Sequence, residues 1–256
     1  MQKMNRQILI LGSLREEIKQ IRRRMTIINQ FKAGRADVWV GNWEGSSIVL
    51  VRTGMGKNCA LSAFDEVLKT VRPSLVLSIG YAGGLGFKLK IGDLVIPDSI
   101  IELSSNNSCV NKYTVSQQQL ALLEKLNFPK NILIHRGTLI TVNQVICDTV
   151  VKKELGSRYN ALAVDMETSV LIAHATKNKI PFISIRSISD TVEQSLVDMS
   201  SFVSDDGNVS RVKAGWYIAT HPKMAKKFIS FRDQSQKATS NMTDFAGVVV
   251  RSFDCI

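Results

Sequence analysis

The chain has 256 residues, 45% of them hydrophobic, which is enough to close one large α/β core, and a single domain over residues 1–256 is expected. Apolar runs fall well short of the roughly 18 residues of a membrane span, and the polar start MQKMNRQILILG leads straight into a strand, so a cytoplasmic protein is expected. The formal charge of +11 suits an anionic partner, but the clusters Arg22, Arg23, Arg24 and Lys223, Lys226, Lys227, Arg232, Lys237 come with no recognised nucleic-acid motif. That argues against nucleic acid and leaves peripheral contact with an anionic membrane surface as the better use of a basic face. Cys59, Cys109, Cys147 and Cys255, like His135, His174 and His221, are too scattered for a metal site, so no metal is expected.

In chain order, strand-length apolar runs occur at residues 8–11, 48–51, 75–79, 94–96, 132–134, 162–164 and 182–185. Helical patterns lie between them at 15–25, 60–71, 116–126 and 168–178. Strands alternating with helices predict an α/β fold of three layers, α/β/α, with a central mixed sheet flanked by helices. Residues 102–114 and 203–209 read as polar loops, and 212–219 and 222–251 as carboxyl-terminal helices, the last interrupted or bent.

Four places carry candidate chemistry. Gly12-Ser13-Leu14-Arg15-Glu16-Glu17 links the first strand to the first helix, where a glycine frees the backbone and amides can face a ligand. A glutamate in a first helical turn is equally explained by the helix dipole. Gly80-Tyr81-Ala82-Gly83-Gly84-Leu85-Gly86 reads as a glycine-rich loop after a buried strand; it matches neither a dinucleotide nor a P-loop pattern. Gly54-Met55-Gly56-Lys57 is a weaker example of the same kind. Residues 163–190 read as a βαβ unit with a parallel crossover, which would bring Glu167 and Asp190 to one crevice at the strand ends. Two carboxylates there suit acid/base catalysis; caps, or partners for Arg186, are the alternative.

Taken in order, GSLREEI at 12–18, TGMGK at 53–57, SIGYAGGL at 78–85, KIGDLVIPD at 90–98, AVDMETSVLIAHA at 163–175 and IRSISD at 185–190 resemble the purine nucleoside phosphorylase and nucleosidase superfamily. The chain looks most like its adenine-releasing branch, the methylthioadenosine/S-adenosylhomocysteine nucleosidases. The resemblance implies a nucleoside phosphorylase-like fold, a homo-oligomer, and cleavage between a purine and ribose C1′, with water or inorganic phosphate as co-substrate and no further cofactor. It implies Asp190, protonated or sharing a proton, as the acid at purine N7, Glu167 as acceptor of the ribose hydroxyls, and Glu17 as the base for a water. Met166 would pack on the sugar and Val145 and Ile146, in TVNQVICD, on the base; Gly12, Tyr81, Gly83 and Ser189 complete the substrate-binding set.

Several positions depart from the family pattern. Tyr81 stands where relatives carry a small hydroxyl residue, and Val145 replaces an aromatic that stacks on adenine. Ser78 replaces a phosphate-binding arginine, which favours hydrolysis, while Arg15 keeps a phosphate site open. The stretch from 190 to 238, with its Asp-Gly turn and His-Pro, resembles the hopanoid-associated phosphorylases and implies adenosylhopane as substrate. Trp216, Tyr217, Met224 and Phe228 would then line an apolar entrance or pack in the core. Methylthioadenosine, S-adenosylhomocysteine and futalosine-type nucleosides are the alternative substrates, and a non-catalytic nucleoside-binding protein is the alternative of another class.

Overall fold

The computed structural model describes residues 7–129, 132–195 and 222–253. The central sheet is built on three short runs of Ile, Leu and Val, in β1 (Gln7–Gly12), β4 (Ser46–Arg52) and β5 (Leu75–Gly84). Ile8, Leu9, Ile10, Ile48, Val49, Leu50, Val51, Val76 and Leu77 are all fully buried. Such unbroken apolar strands fit a parallel sheet covered on both faces, and β1 pairs in parallel with both β4 and β5.

The remaining elements are α1 (Arg15–Arg24), β2 (Thr26–Ala33), β3 (Ala36–Trp43), α2 (Lys57–Leu68), β6 (Leu94–Leu103), β7 (Cys109–Thr114), α3 (Gln117–Glu124), β8 (Ile134–Thr141), α4 (Thr149–Tyr159), β9 (Ala161–Asp165), α5 (Thr168–Lys177), β10 (Phe182–Asp190) and α6 (Pro222–Phe253). The ten strands form one mixed sheet in the order β10-β6-β8-β9-β5-β1-β4-β3-β2, with β7 on the edge of β6. An additional β10–β5 pairing closes β5, β9, β8, β6 and β10 into a ring. Helices flank the sheet: α1 packs on α6, and α2 on α5. Among the described residues, no helix is long and apolar enough to cross a membrane.

The expected α/β class with a mixed central sheet and flanking helices is the observed one, but several elements differ from the sequence reading. β2 and β3 form an antiparallel hairpin that the sequence reading left unassigned. Residues 26–32 of β2 are all exposed, so that strand carries no apolar alternation to betray it. The expected polar loop at 102–114 holds β7, an edge strand paired with β6 through Ser99↔Thr114 to Leu103↔Cys109. The run expected at 132–134 precedes its strand, since β8 begins at Ile134. Helix α4 was not anticipated; its apolar periodicity is weak because a lysine, Lys152, occupies its buried face beside Leu155.

The glycine-rich segment is not a loop up to Gly84, because β5 continues to that residue. Nor is 163–190 a simple parallel βαβ unit. β5 lies between β9 and β10, antiparallel to the first and parallel to the second. Closure of the ring, rather than a crossover, sets the two strand ends side by side. Helix α6 is continuous from Pro222 to Phe253, so it has no interruption of the kind the sequence allowed. The expected loop at 203–209 and helix at 212–219, with Trp216 and Tyr217, lie outside the described residues, as do the side chains of Met224 and Phe228.

Candidate active site

The bottom of the site is made by β5, because its glycines let neighbouring strands bring polar groups close. Gly83 is paired with Val164 of β9 on one side and Asp190 of β10 on the other. A Cβ at Gly83 would lie 3.2 Å from Asp190 Oδ2 and 3.3 Å from Val164 Cγ1; one at Gly80 would lie 3.1 Å from Glu17 Oε1 and 3.4 Å from Arg186 Nη1. These glycines are therefore where acids from two elements, Glu17 of α1 and Asp190 of β10, pack against one strand.

Above β5 is a cavity of about 180 Å³ whose lining includes Glu17, Tyr81, Gly83, Val145, Ile146, Met166, Glu167, Ser189 and Asp190. Nine of the ten residues singled out from the sequence thus meet at one place. The tenth, Gly12, is not in the lining: a Cβ there would meet Ile18 Cγ2 at 2.5 Å, so this glycine serves the close packing of α1 on β1. Leu14, Met55, Val142 and Val164 supply much of the remaining wall, which gives an apolar chamber with acids at its floor. A larger, open hollow of about 510 Å³ lies between Arg24, Phe128, Asp244 and Arg251. Its charges are spent on ion pairs, Arg24 with Asp244 at 2.7 Å and Arg251 with Glu44 at 2.6 Å, so it brings no acid/base set together.

The three carboxyl groups sit in different surroundings. Glu17 folds back over the first turn of α1; its Oε2 accepts the amides of Ser13 at 2.7 Å and Leu14 at 2.8 Å, and its Oε1 that of Tyr81 at 2.9 Å. Burial raises its pKa, against the opposing pull of those amides and of the Arg186 charge. The dipole explanation for an acid in this turn is thus joined by a structural one, since the side chain points into the chamber.

Glu167 leads from β9 into α5, and its Oε1 accepts the Gly56 amide at 2.7 Å, at the start of α2. Burial first, then the charges of Asp165 and Glu17, push its pKa up to about 8. Asp190 ends β10 at 3% exposure. Its Oδ1 accepts from Ser189 Oγ at 2.7 Å and its Oδ2 from Lys152 Nζ at 2.5 Å. The acid expected to be protonated or to share a proton is half of a buried ion pair with Lys152.

Arg186 was the alternative partner for Glu167 and Asp190. Its Nε instead donates to Asp165 Oδ2 at 2.8 Å, and its Nη2 to Ser78 Oγ at 2.8 Å and Thr168 Oγ1 at 2.7 Å. Asp165 also accepts from Thr141 Oγ1 at 2.7 Å and from the Thr168 hydroxyl. Every member of this network is buried, and a buried ion pair with its remaining donors satisfied fixes geometry. It leaves Glu167 and Asp190 free to face the chamber.

The Tyr81 hydroxyl bonds Thr239 Oγ1 of α6 at 2.5 Å, and burial, then the charges of Glu17 and Glu16, push its pKa up. What it offers the site is its amide to Glu17. The residue that sequence reasoning missed is Lys152. A helical reading of TVVKKELGSRY, with Lys152 three positions before buried Leu155, is the signal that could have found it. Among the described residues no three His, Cys, Asp or Glu side chains group as a metal site.

Comparison with known proteins places this geometry in context. The family model described as the phosphorylase superfamily matches residues 7–214. Among solved structures, the 5′-methylthioadenosine/S-adenosylhomocysteine nucleosidase of Neisseria meningitidis in complex with methylthio-immucillin-A is similar at a TM-score of 0.74 and 18% identity, over 96% of this chain and 99% of that one. The corresponding nucleosidase of Colwellia psychrerythraea in complex with adenine gives a TM-score of 0.75 at 17% identity, over 96% and 95% of the two chains. Futalosine hydrolase of Helicobacter pylori gives 0.71 at 20% identity, over 95% and 98%.

Proposed function

The chain belongs to the phosphorylase superfamily, and from that premise we propose that it cleaves the N-ribosidic bond of a 5′-substituted adenosine and releases adenine. The observation that carries the reading is the convergence of Glu17, Glu167 and Asp190 on one apolar chamber. Departure of a purine from C1′ leaves an oxocarbenium-like sugar and negative charge on the base. An enzyme accelerates the step by neutralising that charge and holding the cation, both more effective against apolar walls than in bulk water.

In this reading Asp190 serves N7 of the leaving purine, with Ser189 fixing its carboxyl by the 2.7 Å hydrogen bond. Glu167 accepts the ribose hydroxyls, with Met166 against the sugar face, and Glu17 orients a water toward C1′. Val145 and Ile146 cover the base. Water is the proposed co-substrate rather than phosphate, because Ser78 is engaged by the Arg186 guanidinium at 2.8 Å and supplies no positive charge of its own.

For the 5′ substituent we propose a long alkyl group of the adenosylhopane kind, supported by the sequence of residues 190–238 and by the basic charge of +11. A cavity of about 180 Å³ has no room for a triterpenoid beside a nucleoside, so such a chain must lie outside it, past Val145, which is 43% exposed. The same volume favours a second reading, in which the substrate is a small thioether nucleoside such as 5′-methylthioadenosine.

The test is release of free adenine from 5′-methylthioadenosine and from a long-chain 5′-alkyl adenosine, each with and without phosphate. Phosphate-independent release from the alkyl compound is the expected result. Faster turnover of the thioether would replace the hopanoid assignment with the salvage one, and dependence on phosphate would overturn water as co-substrate. Tight adenine binding without release from either compound would make the protein a binder.

A further inference from the structure

Lys152 is wholly buried, yet its ammonium is fully engaged: Asp190 Oδ2 lies at 2.5 Å, the Gln194 carbonyl at 2.8 Å and the Thr191 carbonyl at 3.2 Å. Three N–H donors thus have three acceptors. Burying a charge on the inner face of α4, beside Leu155, costs stability that an apolar side chain of similar size would not. Asp190 borders the chamber and Lys152 does not, so the way from the ammonium to the chamber runs through the Asp190 carboxyl.

We propose, resting on the adenine-releasing reading, that Lys152 is a positioning residue that acts through Asp190 as the source of the proton taken up by the departing purine. In the resting pair the ammonium holds Asp190 as a carboxylate aimed at the chamber. As the C1′–N9 bond breaks, its electron pair stays on the purine and negative charge grows at N7. The Nζ–H bond breaks while a bond from that proton to Asp190 Oδ2 forms, and Asp190 passes the proton to N7. Adenine leaves neutral, Asp190 is a carboxylate again, and the lysine amine regains a proton from solvent after release. In a site of low polarity the charged and neutral forms of such a pair lie closer in free energy than they do in water, which lets a proton move between them.

The experiment compares two leaving groups on the wild type, Lys152→Met and Lys152→Arg: adenine, from whichever 5′-substituted adenosine turns over, and 4-nitrophenolate, from the matching aryl riboside. Nitrophenolate departs without a proton. Both variants are expected to lose about a hundredfold or more in kcat for adenine, the usual scale of general acid catalysis, and far less for nitrophenolate. Arginine keeps the positive charge but does not give up its proton, so recovery of adenine release in Lys152→Arg would overturn the proposal. So would a Lys152→Met protein that keeps its adenine turnover because Asp190 takes its proton from solvent. Equal losses on both leaving groups would reduce the lysine to a structural support. A wild type inert toward both compounds would overturn the activity itself and this inference with it, whereas an active wild type with unaffected variants would overturn the lysine alone.

Discussion

Asp190 has two neighbours with different consequences. Replacing it with asparagine removes the proposed acid and also strips Lys152 of its counter-charge. Asp190→Asn is therefore expected to lower kcat for adenine release by about 10²- to 10⁴-fold. Leaving a buried ammonium unpaired also costs stability, by about 3–5 kcal/mol. Adenine assays together with urea unfolding of the same variant check both parts, and unchanged turnover would remove Asp190 from the chemistry. Glu167 makes a prediction of a different kind. Burial holds it at about 8, above the 4.5 of an ordinary glutamate. Between these values the folded protein keeps a proton that the unfolded chain has released. The stability this group contributes is thus complete below about 4.5 and is lost as pH rises through about 8. Glu17, also raised by burial, acts in the same direction. Glutamine mimics the protonated form, so Glu167→Gln should gain stability on the wild type as pH is raised from about 5 to about 8. Thermal unfolding midpoints across that range measure it, and a constant difference would contradict the assignment.

Among the elements, the strands that read clearly in the sequence are those buried along nearly their whole length. The strands β1 and β4 are apolar because both faces are covered. By contrast β2 is exposed from residue 26 to 32, and its pairing with β3 supplies backbone hydrogen bonds that no side-chain pattern records. Helix α4 was hidden for the opposite reason, because its inner face carries a lysine whose partner lies 38 residues away. Helix α6 closes the structure over β5 and β10, burying Ala238, Met242, Phe245, Ala246, Val249 and Val250. Phe245 is fully buried and stacks on Phe128 with ring centroids 3.9 Å apart. Phe245→Ala should cost about 3–5 kcal/mol by the loss of packing and the cavity left behind. Denaturant unfolding checks this, and a cost below about 1 kcal/mol would mean that α6 is not held through this contact.

At the scale of the whole molecule, the site exists because the sheet closes. Glu17 comes from the first helix, Glu167 from the end of β9 and Asp190 from the end of β10; β5 meets Glu17 through the Tyr81 amide and Gly80 and Asp190 through Gly83, while Glu167 is held by the Gly56 amide. A ligand seated there contacts β5, β9 and β10 together and binds the folded state alone. Adenine at a hundredfold excess over its Kd is accordingly expected to stabilise the protein by about 2.7 kcal/mol. A thermal shift with adenine, absent with an equal concentration of a pyrimidine base, measures this; equal shifts with both would contradict purine selectivity.

The sequence by itself determined the class of fold and singled out the acids that line the chamber, because both are written in short segments: apolar runs of strand length, and the clusters around Glu17, Glu167 and Asp190. It also identified the glycines next to those acids, though it took them for a loop. Tertiary structure alone decided that β5 continues through them, since a glycine strand is stable there only with β9 and β10 packed against it. It alone gave Arg186 to Asp165 and Lys152 to Asp190, pairings across 21 and 38 residues. Charges at such separations meet only when the chain has closed on itself, and a buried charge chooses its partner by where the fold leaves it without water.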